Sequence, residues 1–276
     1  LNLTDVTLNE HSFKDCTGVT GALYLNHVIL NGKGTFEGCT GINSLRMTSM
    51  TSIKEETFKG CTGLAGLDLA GVTTVEARAF ADCTGITGNL DLSRVTELGN
   101  SAFAGCTGLT AVKLPAGLSA LESYAFLNTG INKVENKSSL TIDLKQNFGS
   151  SYWYHVEDQK PVDPEACYLT KGTARKTISK IEVTAEKDAL ELGEEMQVSV
   201  TTEAEGVDAD MAAYTLSSSN DKVLTVDETG KVTAVGAGKA EIIATANFST
   251  VKASVEVTVA GEVVLDKPVV MAEASK

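Results

Sequence analysis

Histidine is nearly missing from this sequence. His11, His27 and His155 are the only three in 276 residues. None sits in an HExxH pattern or a nucleophile elbow, so the common zinc-protease and serine-hydrolase layouts are excluded. Cys167 and His155 share no surroundings that would make them nucleophile and base. No glycine-rich phosphate loop follows a strand. Cysteine never occurs as C-x-x-C, the tight pairing that metal sites usually draw on. The chain is therefore expected to be no enzyme and to hold no cofactor and no metal. Cations are also scarce. Lys and Arg total 23 against 36 Asp and Glu, a net charge of −13, which argues against nucleic acid or an acidic membrane as partner. Aromatic residues make up 5% of the chain, and no apolar run is long enough to cross a bilayer, so no transmembrane segment is expected.

What is present is a period. Phe-x-x-Cys-Thr-Gly-aliphatic occurs at Phe13/Cys16, Phe36/Cys39, Phe58/Cys61, Phe80/Cys83 and Phe103/Cys106, and a sixth copy at Phe126 lacks the Cys. The six Phe are spaced by 23, 22, 22, 23 and 23 residues. A fixed period of this length marks a solenoid. After each Thr-Gly comes aliphatic-x-x-aliphatic-x-aliphatic, as in Ile42/Leu45/Met47, Leu64/Leu67/Leu69 and Leu109/Val112/Leu114. Two copies insert one residue, giving Val19 then Leu23/Leu25 and Ile86 then Leu90/Leu92. Alternation with period two predicts strands that stack into a parallel ladder. A further apolar position lies five residues before the Phe (Leu8, Ile53, Val75, Leu98, Leu121). Repeat two breaks it with Asn31, beside Leu30. The stretches before the Phe, such as Glu76-Ala77-Arg78-Ala79, suit short helical turns. Leu1-x-Leu3 reads as the strand of a repeat whose start lies before Leu1, so the chain is expected to be a piece of a longer protein or a mature product.

Five of the six cysteines occupy one repeat position. Equivalent residues on successive turns point the same way, which disfavours disulfides between them. A column of buried, reduced thiols at 16, 39, 61, 83 and 106 is the expected arrangement, with Cys167 packing in the cap or linker.

Beyond Gly130 the repeat fades. Ile131-x-x-Val134 begins another strand, and Leu140-Thr-Ile142-Asp-Leu144 adds one more. Tyr152-Trp153-Tyr154 is the one dense aromatic cluster, either a stacking platform for sugar or peptide or, more simply, a cap over the last turn. From Ile178 the texture changes to short alternating strands separated by turns such as Leu192-Gly193-Glu194 and Glu228-Thr229-Gly230. Several strands at this spacing predict a β-sandwich. Residues 178–259 carry 15 Asp and Glu against 6 Lys, a charge step that marks a domain boundary. Asp208/Asp210 and Asp221/Asp227 are acidic pairs able in principle to hold Ca²⁺, though a solvated acidic surface explains them more simply.

Two family resemblances rest on these residues. The recurring Ala-Phe-x-x-Cys pattern, with its following aliphatics, resembles the BspA-type leucine-rich repeats of bacterial surface proteins. Leu192-Gly193, Ser217-Ser218-Ser219-Asn220, Val226-Asp227-Glu228-Thr229-Gly230-Lys231-Val232-Thr233-Ala234-Val235 and Gly238-Lys239-Ala240-Glu241-Ile242 resemble the bacterial immunoglobulin-like domain of group 2. Leu216 departs from that pattern, which often has Trp there. The expected fold is thus mixed: a leucine-rich-repeat solenoid over 1–150, a cap and linker over 151–177, an immunoglobulin-like β-sandwich over 178–260 and a tail or linker over 261–276.

By resemblance, such proteins are secreted or surface-attached and mediate adhesion. The expected role is binding through the solenoid face, with the sandwich as spacer and an extracellular protein or glycan as partner. The alternative is a non-catalytic accessory segment of a larger surface enzyme, such as a glycan- or protein-degrading hydrolase. A monomer is expected. The outward residues between the buried strand aliphatics are the candidate binding strip: Tyr24, Arg46, Asp68, Asp91, Lys113 and Glu135. Their neighbours two before are Ala22, Ser44, Gly66, Asn89, Ala111 and Lys133.

Overall fold

The computed structural model describes residues 1–47, 49–204 and 206–261; the expected tail, 261–276, lies outside the described residues but for Gly261. The chain folds into two compact units. The first comprises residues 1–179 together with two short later segments, 204–213 and 248–250; the second holds the remainder.

In the first unit each repeat is one turn of a solenoid. The paired aliphatics form strands Asn2–Thr4, Gly21–Asn26, Ile42–Met47, Gly88–Asp91, Leu109–Leu114 and Lys133–Asn136. Neighbours pair in parallel, Leu23 against Leu45 and Val112 against both Leu90 and Val134. The apolar position before each Phe forms two further parallel ladders, one with Leu8 against Leu30, the other with Ile53 against Val75, Val75 against Leu98 and Leu98 against Leu121. Leu30 thus fills the column, and Asn31 lies one position beyond it. The one-residue insertions are β-bulges. Gly21 and Gly88 take φ of 78° and 74°, and the register shifts beside them.

The stretches before the Phe are turns and not helices, contrary to the sequence reading. The cause is local. Residues two before the Phe (His11, Gly34, Glu56, Arg78, Ser101, Tyr124) have φ between 53° and 63°, and those two after it (Asp15, Gly38, Gly60, Asp82, Gly105, Asn128) between 57° and 75°. Two left-handed residues so close together forbid a right-handed helix. Gly, Asp and Asn at the second position are the residues that tolerate this backbone best.

The core is a set of columns. Phe13, Phe36, Phe58, Phe80, Phe103 and Phe126 stack nearly parallel, with centroids 5.1–5.9 Å apart. The column does not end there. Phe148 lies 22 residues after Phe126 and stacks on it at 5.1 Å, so the period outlasts the Cys-Thr-Gly motif. Phe148 sits on the helix Leu144–Phe148, which Asp143 caps by accepting from the Gln146 amide at 2.8 Å and Gly149 closes at φ 70°. Trp153 then meets Phe148 edge-on at 5.7 Å. Strands Trp153–His155, Lys160–Pro161 and Gly172–Lys176 continue the sheet antiparallel beyond Lys133–Asn136, ending the parallel run.

The motif's glycine has a steric origin. A Cβ at Gly85 would lie 2.5 Å from the carbonyl oxygen of Thr62, and one at Gly108 2.6 Å from that of Ile86. Only glycine lets one turn stack this closely on the last.

The second unit is a sandwich of two four-stranded sheets. One orders Lys180–Ala185, Glu195–Glu203, Lys231–Ala234 and Leu224–Val226; the other orders Ala189–Leu190, Lys252–Val259, Gly238–Ala246 and Tyr214–Ser218. Its core is Ile, Val, Leu, Met and Ala, facing inward at alternate positions. Ala189–Leu190 and Tyr214–Ser218 are strands that alternation had not revealed.

Candidate functional site

The candidate strip is a physical column. Tyr24 pairs in register with Arg46, Asp91 with Lys113, and Lys113 with Glu135. Their side chains point away from the core because the flanking aliphatics point into it. Tyr24, Arg46, Asp68, Asp91 and Lys113 are exposed, and Glu135 is half-buried. The row two residues before is also in register, Ala22 with Ser44 and Asn89 with Ala111 and Lys133. Asp68 stands apart: among the described residues its segment forms no regular strand and bonds to the ladder only at Ala65 and Gly66, around the Ser44–Gly66 bridge.

Three strip residues line a groove of about 760 Å³ on this face, Asp91, Lys113 and Glu135, with Asn89, Asn132, Lys133 and Asp208 around them. Its charges are largely matched internally. Lys113 is 3.7 Å and Lys137 3.2 Å from the Glu135 carboxylate. Donating a hydrogen bond to the Glu135 carboxylate holds the Lys137 ammonium above its usual pKa. Arg175 pairs with Asp208 at 3.2 Å and Asp210 at 3.7 Å, and the Asn132 amide donates to Asp208. Arg46 forms no ion pair among the described residues. Asn132, Arg175 and Asp208 were not foreseen as part of this face. Asp208 belongs to a segment far along the chain, and no periodicity marks it.

The aromatic cluster is packed away. Trp153 is 1% and Tyr154 7% exposed, while Tyr152 is half-buried. One face of Trp153 carries the Lys176 ammonium, 5.7 Å from the ring centroid, and its indole N–H donates to Ser150 O at 2.9 Å. Tyr154 packs edge-on to Phe248 at 4.7 Å. Of the three rings only Tyr152 keeps part of its surface open.

All six cysteines are free, and the five of the row lie in register beneath the turns. Each thiol from Cys39 on donates to the carbonyl of the Phe one repeat further back: Cys39 to Phe13 at 2.9 Å, Cys61 to Phe36 at 3.2 Å, Cys83 to Phe58 at 3.0 Å and Cys106 to Phe80 at 3.1 Å. Burial pushes the Cys61 and Cys106 thiols up to about 12 and the Cys83 thiol further. Burial likewise lifts Cys167, to about 11. Such groups stay protonated and are poor nucleophiles or metal ligands.

Three of the four acidic-pair residues have partners within the chain. Asp208 and Asp210 serve Arg175. Asp227 Oδ1 accepts from the Thr229 amide and hydroxyl and the Lys231 amide, building the turn between two strands. Among the described residues no group of three or more His, Cys, Asp or Glu is placed to hold a metal, and no helix is long and apolar enough to cross a membrane.

Stacked turns of 22 or 23 residues with one exposed strand face, followed by a two-sheet sandwich, define a leucine-rich-repeat solenoid protein with an immunoglobulin-like domain. The chain belongs to the BspA type leucine rich repeat family, whose model matches in 6 copies over residues 3–92 and 89–157, more than half of the chain. The bacterial Ig-like domain (group 2) matches residues 177–259.

Among solved structures, a leucine rich cell surface protein of Faecalibacterium prausnitzii is 13% identical, covering 68% of this chain and 53% of its own, with a TM-score of 0.41. A leucine-rich repeat protein of Bacteroides ovatus is 21% identical over 46% and 45% of the two chains, with a TM-score of 0.32. An internalin-like protein of Listeria monocytogenes is 14% identical over 87% and 64%, with a TM-score of 0.26. The chain thus spans about half the length of the first two. No curated protein matches it.

Proposed function

We propose that this chain is a non-catalytic bacterial protein of the cell surface or extracellular space that binds a partner through the strand face of its solenoid. The sandwich serves as a spacer, and the molecule works as a monomer. The observation that carries this reading is the register. It places Tyr24 beside Arg46, and Asp91, Lys113 and Glu135 in one line along a polar groove. Tyr and Arg are the residue types that most often anchor interfaces.

An extracellular protein is favoured over a glycan. The face is a polar, mixed-charge strip with Tyr24 as its one ring, whereas sugar sites usually present stacking aromatics. The test is a binding screen of the whole chain against host-matrix proteins, mucins and glycans. Tyr24→Ala/Arg46→Ala and Asp91→Ala/Lys113→Ala are compared with wild type, and Lys239→Ala, in the sandwich, is the control. At least one protein ligand should lose about tenfold affinity, on the order of 1.4 kcal/mol, in a strip variant but not in the control. Unchanged binding by both strip variants would sink the proposal.

A further inference from the structure

The strand face is not one sheet. Asn2–Thr4, Gly21–Asn26 and Ile42–Met47 form one ladder, and Gly88–Asp91, Leu109–Leu114 and Lys133–Asn136 belong to another. Between them lies the turn at 64–70, where a strand was expected at Leu64/Leu67/Leu69. On one side, among the described residues, only Ala65 and Gly66 join it to the preceding turn: Ala65 and Gly66 N–H donate to Asn43 O and Leu45 N–H donates to Gly66 O, all at 3.0–3.1 Å, which makes the Ser44–Gly66 bridge. Among the described residues, the amides of Leu67, Asp68 and Leu69 donate to no neighbouring turn, and strand Gly88–Asp91 pairs only on its far side.

The sequence supplies reasons for the gap. Gly66 has no side chain for a cross-strand contact and weakens a strand. Asp68 and Asp91 place two carboxylates at equivalent positions of adjacent turns, both exposed and neither in an ion pair among the described residues, and like charges side by side oppose pairing. Each carboxylate instead caps its own turn, Asp68 accepting from the Ala70 amide at 3.0 Å and Asp91 from the Ser93 amide at 2.9 Å.

The rest of the cross-section runs through without a break. Ile53 pairs with Val75, and Val75 with Leu98. The Phe58 amide donates to Ala79 O, and the Phe80 amide to Ala102 O, both at 2.8 Å. Phe58 and Phe80 stack at 5.4 Å.

We infer that the turn at 64–70 is a one-sided joint: the solenoid flexes there about the Phe column and the rear ladder that runs from Ile53 to Leu121, opening and closing the strand face. The joint separates Tyr24 and Arg46 from the groove of Asp91, Lys113 and Glu135. It lets the two halves of the face adjust their mutual angle to a curved partner. The inference concerns the free chain and stands or falls without any ligand, so its failure and that of the binding proposal are separable.

Two pairs of spin labels test it on the full chain in a Cys16→Ser background. Arg46→Cys/Lys113→Cys spans three turn steps across the joint. Asp91→Cys/Thr173→Cys spans three steps within one unbroken ladder, since Asp91, Lys113, Glu135 and Thr173 lie in register. The first distance distribution should be about twice as broad as the second. Amide exchange of Leu67, Asp68 and Leu69 should be about 100-fold faster than that of Val112 and Lys113. Asp68→Thr should narrow the first distribution by removing the like charge and adding a β-branched residue. Equal widths in the two pairs overturn the inference, and so does strand-like protection at 67–69.

Discussion

The solenoid and the sandwich bury apolar side chains by different symmetries. In the solenoid a residue's neighbour is its own counterpart one turn away, so Phe meets Phe and each thiol meets a Phe carbonyl. In the sandwich the neighbour comes from the facing sheet, and its core of aliphatics contains no ring. Their charges follow the same rule. In the solenoid Glu37 bridges Lys14 at 2.8 Å and Lys59 at 3.3 Å, one from the turn before and one from the turn after. In the sandwich Lys239 pairs with Glu256 and Lys187 with Glu194, between neighbouring strands or across a turn. A translational stack makes every defect local but repeated in kind. A two-sheet core spreads each side chain over unlike neighbours.

The largest expected effect comes from breaking the column. Phe80 is fully buried between Phe58 and Phe103. Phe80→Ala should cost about 3–5 kcal/mol. Trp153 is the chain's single tryptophan and lies in the first unit, so a lowered urea midpoint in its fluorescence is the readout. A midpoint within error of wild type would show that the stack is not what stabilises the solenoid.

The thiol row comes next. With its thiol pushed up to about 12, Cys61 should alkylate on the order of 1,000-fold more slowly at pH 8 than an ordinary exposed cysteine. Half-buried Cys16 should react first. Mass spectrometry of the native protein after timed alkylation gives the order, and early labelling of Cys61 would refute the buried row.

A third experiment compares a motif glycine with one outside the motif. Gly85→Ala drives a methyl against Thr62 O and should destabilise by about 1–3 kcal/mol. Gly117→Ala meets no atom within 4 Å and should change stability by less than about 0.5 kcal/mol. Similar costs at the two sites would mean that stacking distance is not why glycine recurs.

The smallest effect is electrostatic and contrasts the two units. Partial burial pushes the Glu37 carboxyl up, but hydrogen bonds from Lys14 and Lys59 outweigh it and hold the pKa below the usual carboxylate range. In the sandwich, the Thr229 hydroxyl and the Lys231 amide hold Asp227 below it too. A carboxyl depressed on folding stabilises above its unfolded pKa, and that contribution fades as pH falls through the folded value. Melting temperature should therefore drop as pH falls below about 4, and Glu37→Gln and Asp227→Asn should each shrink that drop. An acid dependence untouched by either change would assign it to other groups.

Much of the fold was legible from the chain. Periods of 22 and 23 residues, the Phe and Cys rows, the strand aliphatics and the outward strip all follow from repetition, because in a stack sequence equivalence implies spatial equivalence. Phe148 was equally legible by its spacing but was hidden by the loss of Cys-Thr-Gly around it. The helical turns failed because two left-handed residues per repeat are a backbone property that composition only hints at. Asn31 misled because the neighbouring Leu30 takes the register.

The repeat, the row of thiols and the identity of the exposed strip were decided by the order of residues alone, since each depends on local alternation and a fixed period. Three features needed the folded chain: the joint at Gly66 and Asp68, the burial of Trp153 and Tyr154, and the entry of Arg175 and Asp208 beside the groove. Each depends on which backbone groups find a partner, or on which distant segments meet. Those are outcomes of packing that no single repeat contains.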